Sequence, residues 1–328
     1  MPKYTVTTER VAQEFIAVDE EGRIEFPSSI VSVLDEEEEP PEPYNFIIND
    51  PALPETFQNT ITLQSDAASL QLNSDTDLNL NGFKIDDLGL VQGAKRILIR
   101  NGTVGHFETS KSGSADHSDV IIDGVHFTGL WSDPTAPWLR TAMSVRIDRL
   151  IVRNCTCYGT GPEPYVERYA LWIQDCVDLQ LLNNNFETAG VEATVRLNDV
   201  TRALVNYNTF KSLGEKYAFR IHGVGSGDYH VEGNQIEGRG AYMGGIIAGT
   251  VDDLHNLVFT LNTITSYDNG LPGDTNGINL QNHGSNIDTV TVTYNLIIGP
   301  GNPIPTMEAE EATRSDWLID GNTYQSSQ

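Results

Sequence analysis

The chain has 328 residues, 39% of them apolar, and carries 46 acidic against 20 basic side chains for a formal charge of −26. That balance argues against nucleic acid as a partner, favours solubility, and repels anionic ligands wherever the surface does not reverse sign. No window approaches the ~20 continuous apolar residues of a membrane span, and Cys155, Cys157 and Cys176 read as buried thiols rather than a disulfide framework.

In chain order, the first residues, "MPKYTVTTERVAQEF", lack the apolar centre of a secretory signal, so a secreted location is expected only if the native gene supplies one. Residues 1–60 include the acidic, proline-rich "LDEEEEPPEPY", an exposed linker. The flanking "YTVTTERVAQEFIAV" and "IEFPSSIVSV" suit a segment that caps the end of a repeat domain spanning residues 61–328. The repeat first shows in "LNLNGFKI", "ILIRNGTV", "VIIDGVHF" and "LIVRNCTC", with Phe83, Gly102, Val125 and Cys155 in the sixth position. It sharpens in "LQLLNNNF", "ALVNYNTF", "YHVEGNQI", "LVFTLNTI", "VTVTYNLI" and "WLIDGNTY", where that position is Asn184, Asn208, Asn234, Asn262, Asn295 and Asn322, at separations of 24, 26, 28, 33 and 27 residues.

Each repeat contains short runs of alternating apolar residues broken by Gly, Asn and Asp, the period of strands. The expectation is an all-β chain folded as a single-stranded parallel β-helix, a solenoid of about ten coils, in which each coil buries its inner face only by stacking on its neighbours. An inward-turned asparagine at a sharp bend can bond the same position one coil away, giving an asparagine ladder that satisfies otherwise buried polar groups. The column and the recurring "NTF" and "GN" turns resemble the right-handed, pectate-lyase-like parallel β-helix superfamily over about residues 70–325. That resemblance implies a substrate groove across the stacked first strands of the coils, here "ALWIQD", "ATVRLND", "AFRIHG", "GGIIAGT" and "NGINLQN".

Alternation gives those strands a parity of their own. Leu171, Ile173, Val195, Leu197, Phe219, Ile221, Ile246, Ala248, Ile278 and Leu280 are the inward set. Trp172, Gln174, Arg196, Asn198, Arg220, His222, Ile247, Asn279 and Gln281 then face out. Arg196 and Arg220 become neighbours about 5 Å apart, repelling by ~1 to 3 kcal/mol, so something must offset them. Pairing with Glu187, Glu192 and Glu215 is one explanation. An anionic ligand is the other, since guanidinium forks match carboxylates. Lys216 leads into the same strand; Arg168, Lys211 and Arg239 lie in segments expected to border the groove, and Trp172, Tyr169 and Tyr242 offer flat faces for sugar rings.

A basic groove in an acidic chain points to an acidic polysaccharide, and the simplest reaction on a uronic acid polymer is β-elimination. Arginines neutralise the carboxylate as the C5 hydrogen leaves. Lys216 is the first candidate base, its pKa lowered by nearby cations, and His222 the second; Tyr169, Tyr217 or Tyr242 could return a proton to the leaving oxygen. The run from "NNNFETAG" to "YHVEGNQIEG" further resembles the central coils of polysaccharide lyase family 6, the chondroitinase B and alginate lyase group. On that match Arg220 corresponds to the catalytic arginine, the family's lysine position falls at Asn198, and Glu192 fits one of two calcium-binding glutamates while Thr194 replaces the other. No cofactor is required by this reading, with Ca2+ at Glu192 an option. A C5-epimerase shares the same proton abstraction. A viral tailspike or adhesin that binds glycans, with or without cleaving them, is the reading from another class; it would be a homotrimer, where a lyase would be a monomer.

Overall fold

The computed structural model describes residues 46–109, 117–128, 142–159, 169–188, 193–212, 218–222, 228–239, 246–248, 254–267, 277–280, 287–299 and 317–326. The chain divides into two compact units, Met1–Ile47 and Ile48–Gln328. Of the segment expected to cap the repeat, residues 1–45 lie outside the described residues.

Every described element is a strand, and the strands stack in parallel as a β-solenoid with three faces. In the turn that begins at Leu171, the strand Leu171–Cys176 lies on the first face, Leu179–Leu182 on the second and Asn185–Thr188 on the third. Each pairs in register with its counterpart one coil on: Leu171 with Val195, Leu179 with Ala203, Asn185 with Thr209.

The expectation of about ten coils is corrected. Five successive turns, from Leu171 to Gly299, have three distinct strands each. Upstream two elements merge: Lys95–Glu108 and His117–Phe127 run through their corners unbroken. At Phe83, Gly102, Val125 and Cys155 no side-chain amide is available to extend a column, although the residue before each takes a left-handed backbone.

From Asn184 onward that amide is present and buried. Asn184, Asn208, Asn234, Asn262 and Asn295 are at most 2% exposed. Each donates from Nδ2 to the Oδ1 of the next, at 2.9 to 3.0 Å, and the last reaches Asn322. The same Oδ1 accepts the backbone N–H of the preceding asparagine. Every Nδ2 also donates to a carbonyl, that of Val152, Leu181, Val205, Val231 or Phe259. A polar column can therefore sit in an apolar interior, because its bonding capacity is used within the column and on the backbone carbonyls beside it. The residue before each asparagine takes a left-handed backbone, from Asn183 (φ 54°) to Gly321 (φ 64°). Tyr207 and Tyr294 hold that uncommon conformation and lie against Gly233 and Gly321 of the next coil, where an added Cβ would come within 2.7 Å of the ring.

The interior has the expected inward parity where side chains are described: Leu171, Ile173, Val195, Leu197, Phe219, Ile221 and Ile278 are fully buried. The side chains of Ile246, Ala248 and Leu280 lie outside the described residues. Phe186, Phe210 and Phe219 stack in sequence, with centroids 6.2 and 5.3 Å apart. Phe186 and Phe210 stack because the register of successive coils puts them one strand spacing apart, whereas Phe219 meets Phe210 from the first-face strand that follows.

Candidate functional site

The first face brings the outward residues into columns. Trp172 is in register with Arg196, Arg196 with Arg220 and Arg220 with Ile247; Ile247 pairs in turn with Asn279. Beside this column runs Gln174, Asn198 and His222. Thus the backbone places Trp172, Gln174, Arg196, Asn198, Arg220, His222 and Asn279 on one surface.

Arg196 is the best-defined group there. Its Nε donates to Asn198 Oδ1 at 2.7 Å, two residues along the strand, where alternation returns a side chain to the same surface. Its Nη1 donates to the Tyr169 hydroxyl at 2.8 Å. The guanidinium carbon lies 5.7 Å from the Tyr169 ring centre and 5.8 Å from that of Trp172, within cation–π reach of both. The two rings contact each other at 5.5 Å, tilted by 47°, and with Ala193 they make a small apolar cluster outside the main core. Both acceptors of Arg196 are neutral, so its positive charge is held in place without being cancelled. Among the described residues it makes no ion pair.

Tyr169 is 4% exposed and its hydroxyl oxygen receives the Arg196 N–H. It stands behind the guanidinium as a support. The Trp172 indole N–H is buried and has no acceptor among the described residues. Lys211 lies on the third face, in the strand Thr209–Ser212, where it meets Glu237 at 3.3 Å. Arg239 ends another third-face strand, Gln235–Arg239. These two are therefore on strands of a different face from Arg196. Arg168, Glu192, Lys216, Tyr217, Tyr242 and Gln281 lie outside the described residues, as do the side chains of His222, Arg239 and Asn279. Among the described residues no group of three His, Cys, Asp or Glu side chains is placed to hold a metal ion.

The structure also shows a charge pattern that sequence reasoning missed. At the corner leading into the second face, successive coils present Asp75, Arg96, Asp119, Arg149, Asp178, Arg202 and Asp228, alternating in sign. Both Nε and Nη2 of Arg96 donate to Asp75, those of Arg149 to Asp119, and those of Arg202 to Asp178. Its trace in the sequence is one of position and not of residue type: each of these residues lies just before, or within the first three residues of, the second strand of its coil. Burial pushes the Asp119 carboxyl up, but hydrogen bonds from Arg149, Ser118 and the Ala52 N–H outweigh it and bring it down to about 2. In Asp178 burial again raises, and the Arg202 and Asn49 hydrogen bonds prevail, lowering it. The extended segment after Ile48 is fastened to this corner and the adjoining face. Asn49 donates to Asp178 at 2.7 Å, Asp50 accepts from Gln180 at 2.7 Å, and the Ala52 N–H donates to Asp119 at 2.9 Å.

No protein-family model matches the chain, and no curated protein matches it. Among solved structures it is similar to the Dettilon tailspike protein (gp208), at 12% identity and a TM-score of 0.38, over 82% of this chain and 60% of that one. The chain thus spans less than two thirds of the tailspike's length, and a likeness this slight carries no assignment of function.

Proposed function

We propose that the outer surface of the first face binds an acidic polysaccharide and that the reaction performed there is β-elimination on a uronic acid polymer. The observation that carries the binding reading is Arg196, a guanidinium fixed by two neutral acceptors and two aromatic rings and in register with Arg220. In a chain of charge −26, this is where an anionic polymer finds a local reversal of sign.

In the elimination, a base removes the C5 hydrogen, the electron pair forms the C4–C5 double bond, and the C4–O bond breaks with the leaving oxygen taking up a proton. Charge that spreads onto the carboxylate as the hydrogen leaves is what Arg196 and Arg220 would stabilise. Lys216 and His222 are the proposed bases, since each belongs to the segment that carries Arg220. A second reading, binding without cleavage, has its own support. Gln174 and Asn198, the described groups beside the arginine column, are not bases, and the Tyr169 hydroxyl is buried behind Arg196.

Ultraviolet absorbance separates the two. The protein is incubated with alginate, pectate, glucuronan and dermatan sulfate, with calcium and then with chelator. A rise from the conjugated double bond at new chain ends is expected with one of these polymers, and its persistence in chelator would show that no calcium at Glu192 is needed. A flat trace on all of them, with retarded migration in polymer-containing gels, would leave a glycan-binding surface only.

A further inference from the structure

A cavity of about 530 Å3 opens at the corner between the first and second faces, lined among others by Gly93, Lys95, Ser118, Asp148 and Arg149. It is in the size range of small-ligand sites, and its walls are polar. Its architecture follows from the register: Lys95 pairs with Ser118 and Ser118 with Asp148. At ~4.8 Å per coil the lysine and the aspartate backbones stand about 10 Å apart, with the serine between them. Gly93 has a left-handed backbone (φ 73°), and the space a Cβ would take is open.

The charges at this corner do not all cancel within the protein. Arg149 is closed on Asp119, which also accepts from the Ser118 hydroxyl at 2.7 Å. Asp148 accepts one backbone N–H, from Val177 at 3.0 Å on Oδ1. Burial raises its carboxyl above the usual range, against the Val177 hydrogen bond and the Arg149 charge, with the Asp178 and Asp119 carboxylates adding to the rise. Among the described residues Lys95 makes no ion pair. The cavity therefore has an uncompensated cation at one end, and at the other a half-buried carboxyl whose second oxygen has no hydrogen-bond partner among the described residues.

We infer that this cavity is a second ligand site, separate from the Arg196 surface, for a monosaccharide acid or similar polyhydroxy acid whose carboxylate meets Lys95 and whose hydroxyls meet Asp148. The two ends select for that chemistry. A simple oxyanion would be drawn to Lys95 but would face Asp148 at the far end, and a cation would face Lys95. Hydroxyl groups supply the donors that a half-buried carboxyl lacks.

The test is isothermal titration of full-length protein carrying Arg196→Ala, so that the other surface does not contribute, with sodium glucuronate, glucose and sodium sulfate as probes. Glucuronate is expected to saturate one site at least ~10-fold more tightly than either comparison ligand, and Lys95→Gln and Asp148→Asn are each expected to weaken it at least ~10-fold. Lys95 is exposed, so its variant decides the matter even if the Asp148 variant fails to fold. No saturable binding, equal binding of sulfate, or glucuronate affinity unchanged by Lys95→Gln would overturn the inference. Each of those results leaves the polymer reading of the Arg196 surface untouched, because that reading stands or falls on polymer binding by unmodified protein.

Discussion

Two sets of arginines in this molecule differ in what closes their forks. At the corner of the second face Arg96, Arg149 and Arg202 each donate two N–H groups to an aspartate of the preceding coil. On the first face Arg196 also makes two hydrogen bonds, to Asn198 and Tyr169. Both geometries immobilise a guanidinium, yet only the first neutralises it. Carboxylate partners turn the charge inward, where it ties one coil to the next. Amide and phenol partners fix the group while leaving its field directed outward, which is the condition for recognising an anion.

The comparison breaks most visibly through the aspartates. Asp178 is 2% exposed and also holds Asn49, so Asp178→Ala removes the carboxylate that closes the Arg202 fork and one of the three fastenings of the segment after Ile48. A loss of about 3 kcal/mol is expected in urea unfolding, the lower end for removing one partner of a buried ion pair. Arg196→Ala should do the opposite. Its acceptors are neutral, so stability should stay within ~1 kcal/mol, while affinity for the acidic polymer should fall by ~50-fold, about 2.3 kcal/mol, in gel retardation. Destabilisation by Arg196→Ala as large as that by Asp178→Ala would erase the distinction between the two sets.

The outward parity of Trp172, Arg196 and Arg220 was readable in the sequence because strand alternation is local: one run of four to six residues fixes which side chains share a surface. The spacing of the six asparagines was readable for the same reason, one residue type recurring at one place per coil. The Asp–Arg corner was not, because its sign alternates: a given charge returns only every second coil, and no residue type repeats at the length of one repeat. Lys211 and Arg239 were assigned to the groove's border from their position in connecting segments, and the structure puts them on strands of the third face. Tyr169 precedes its strand, so alternation could not say that it turns beneath Arg196. The merging of strands upstream of Leu171 was hidden because apolar alternation continues through Lys95–Glu108 whether or not a corner interrupts it.

Acid sharpens the contrast further. The Asp119 carboxyl is held at about 2 against an ordinary 3.8. A group lowered on folding stabilises above its unfolded pKa and loses that contribution as pH falls through the folded one. Asp119 should therefore contribute about 2 kcal/mol above pH ~4, disappearing between pH ~4 and ~2. Asp178, lowered in the same direction, adds to the slope. In urea titrations across that window, Arg149→Met should reduce stability at neutral pH and flatten the acid slope, whereas Arg196→Ala should leave the slope as it is. An unchanged slope in Arg149→Met would mean that Asp119 owes its low pKa to something other than this fork.

The smallest change probes the support behind Arg196. Tyr169→Phe keeps the ring against Trp172 and under the guanidinium, and removes only the oxygen that accepts the Nη1 hydrogen. One hydrogen bond to a charged donor is lost at a nearly buried position, and the guanidinium keeps its bond to Asn198. Affinity for the acidic polymer should drop by roughly fivefold, about 1 kcal/mol, because Arg196 must be ordered at the moment of binding. Were Tyr169 instead the proton donor of an elimination, removing its hydroxyl would depress turnover by orders of magnitude and spare affinity. Measuring both quantities on Tyr169→Phe separates the supporting role from the catalytic one: a weaker complex with turnover preserved at saturating polymer identifies a residue that aims the arginine, and the reverse identifies one that reacts.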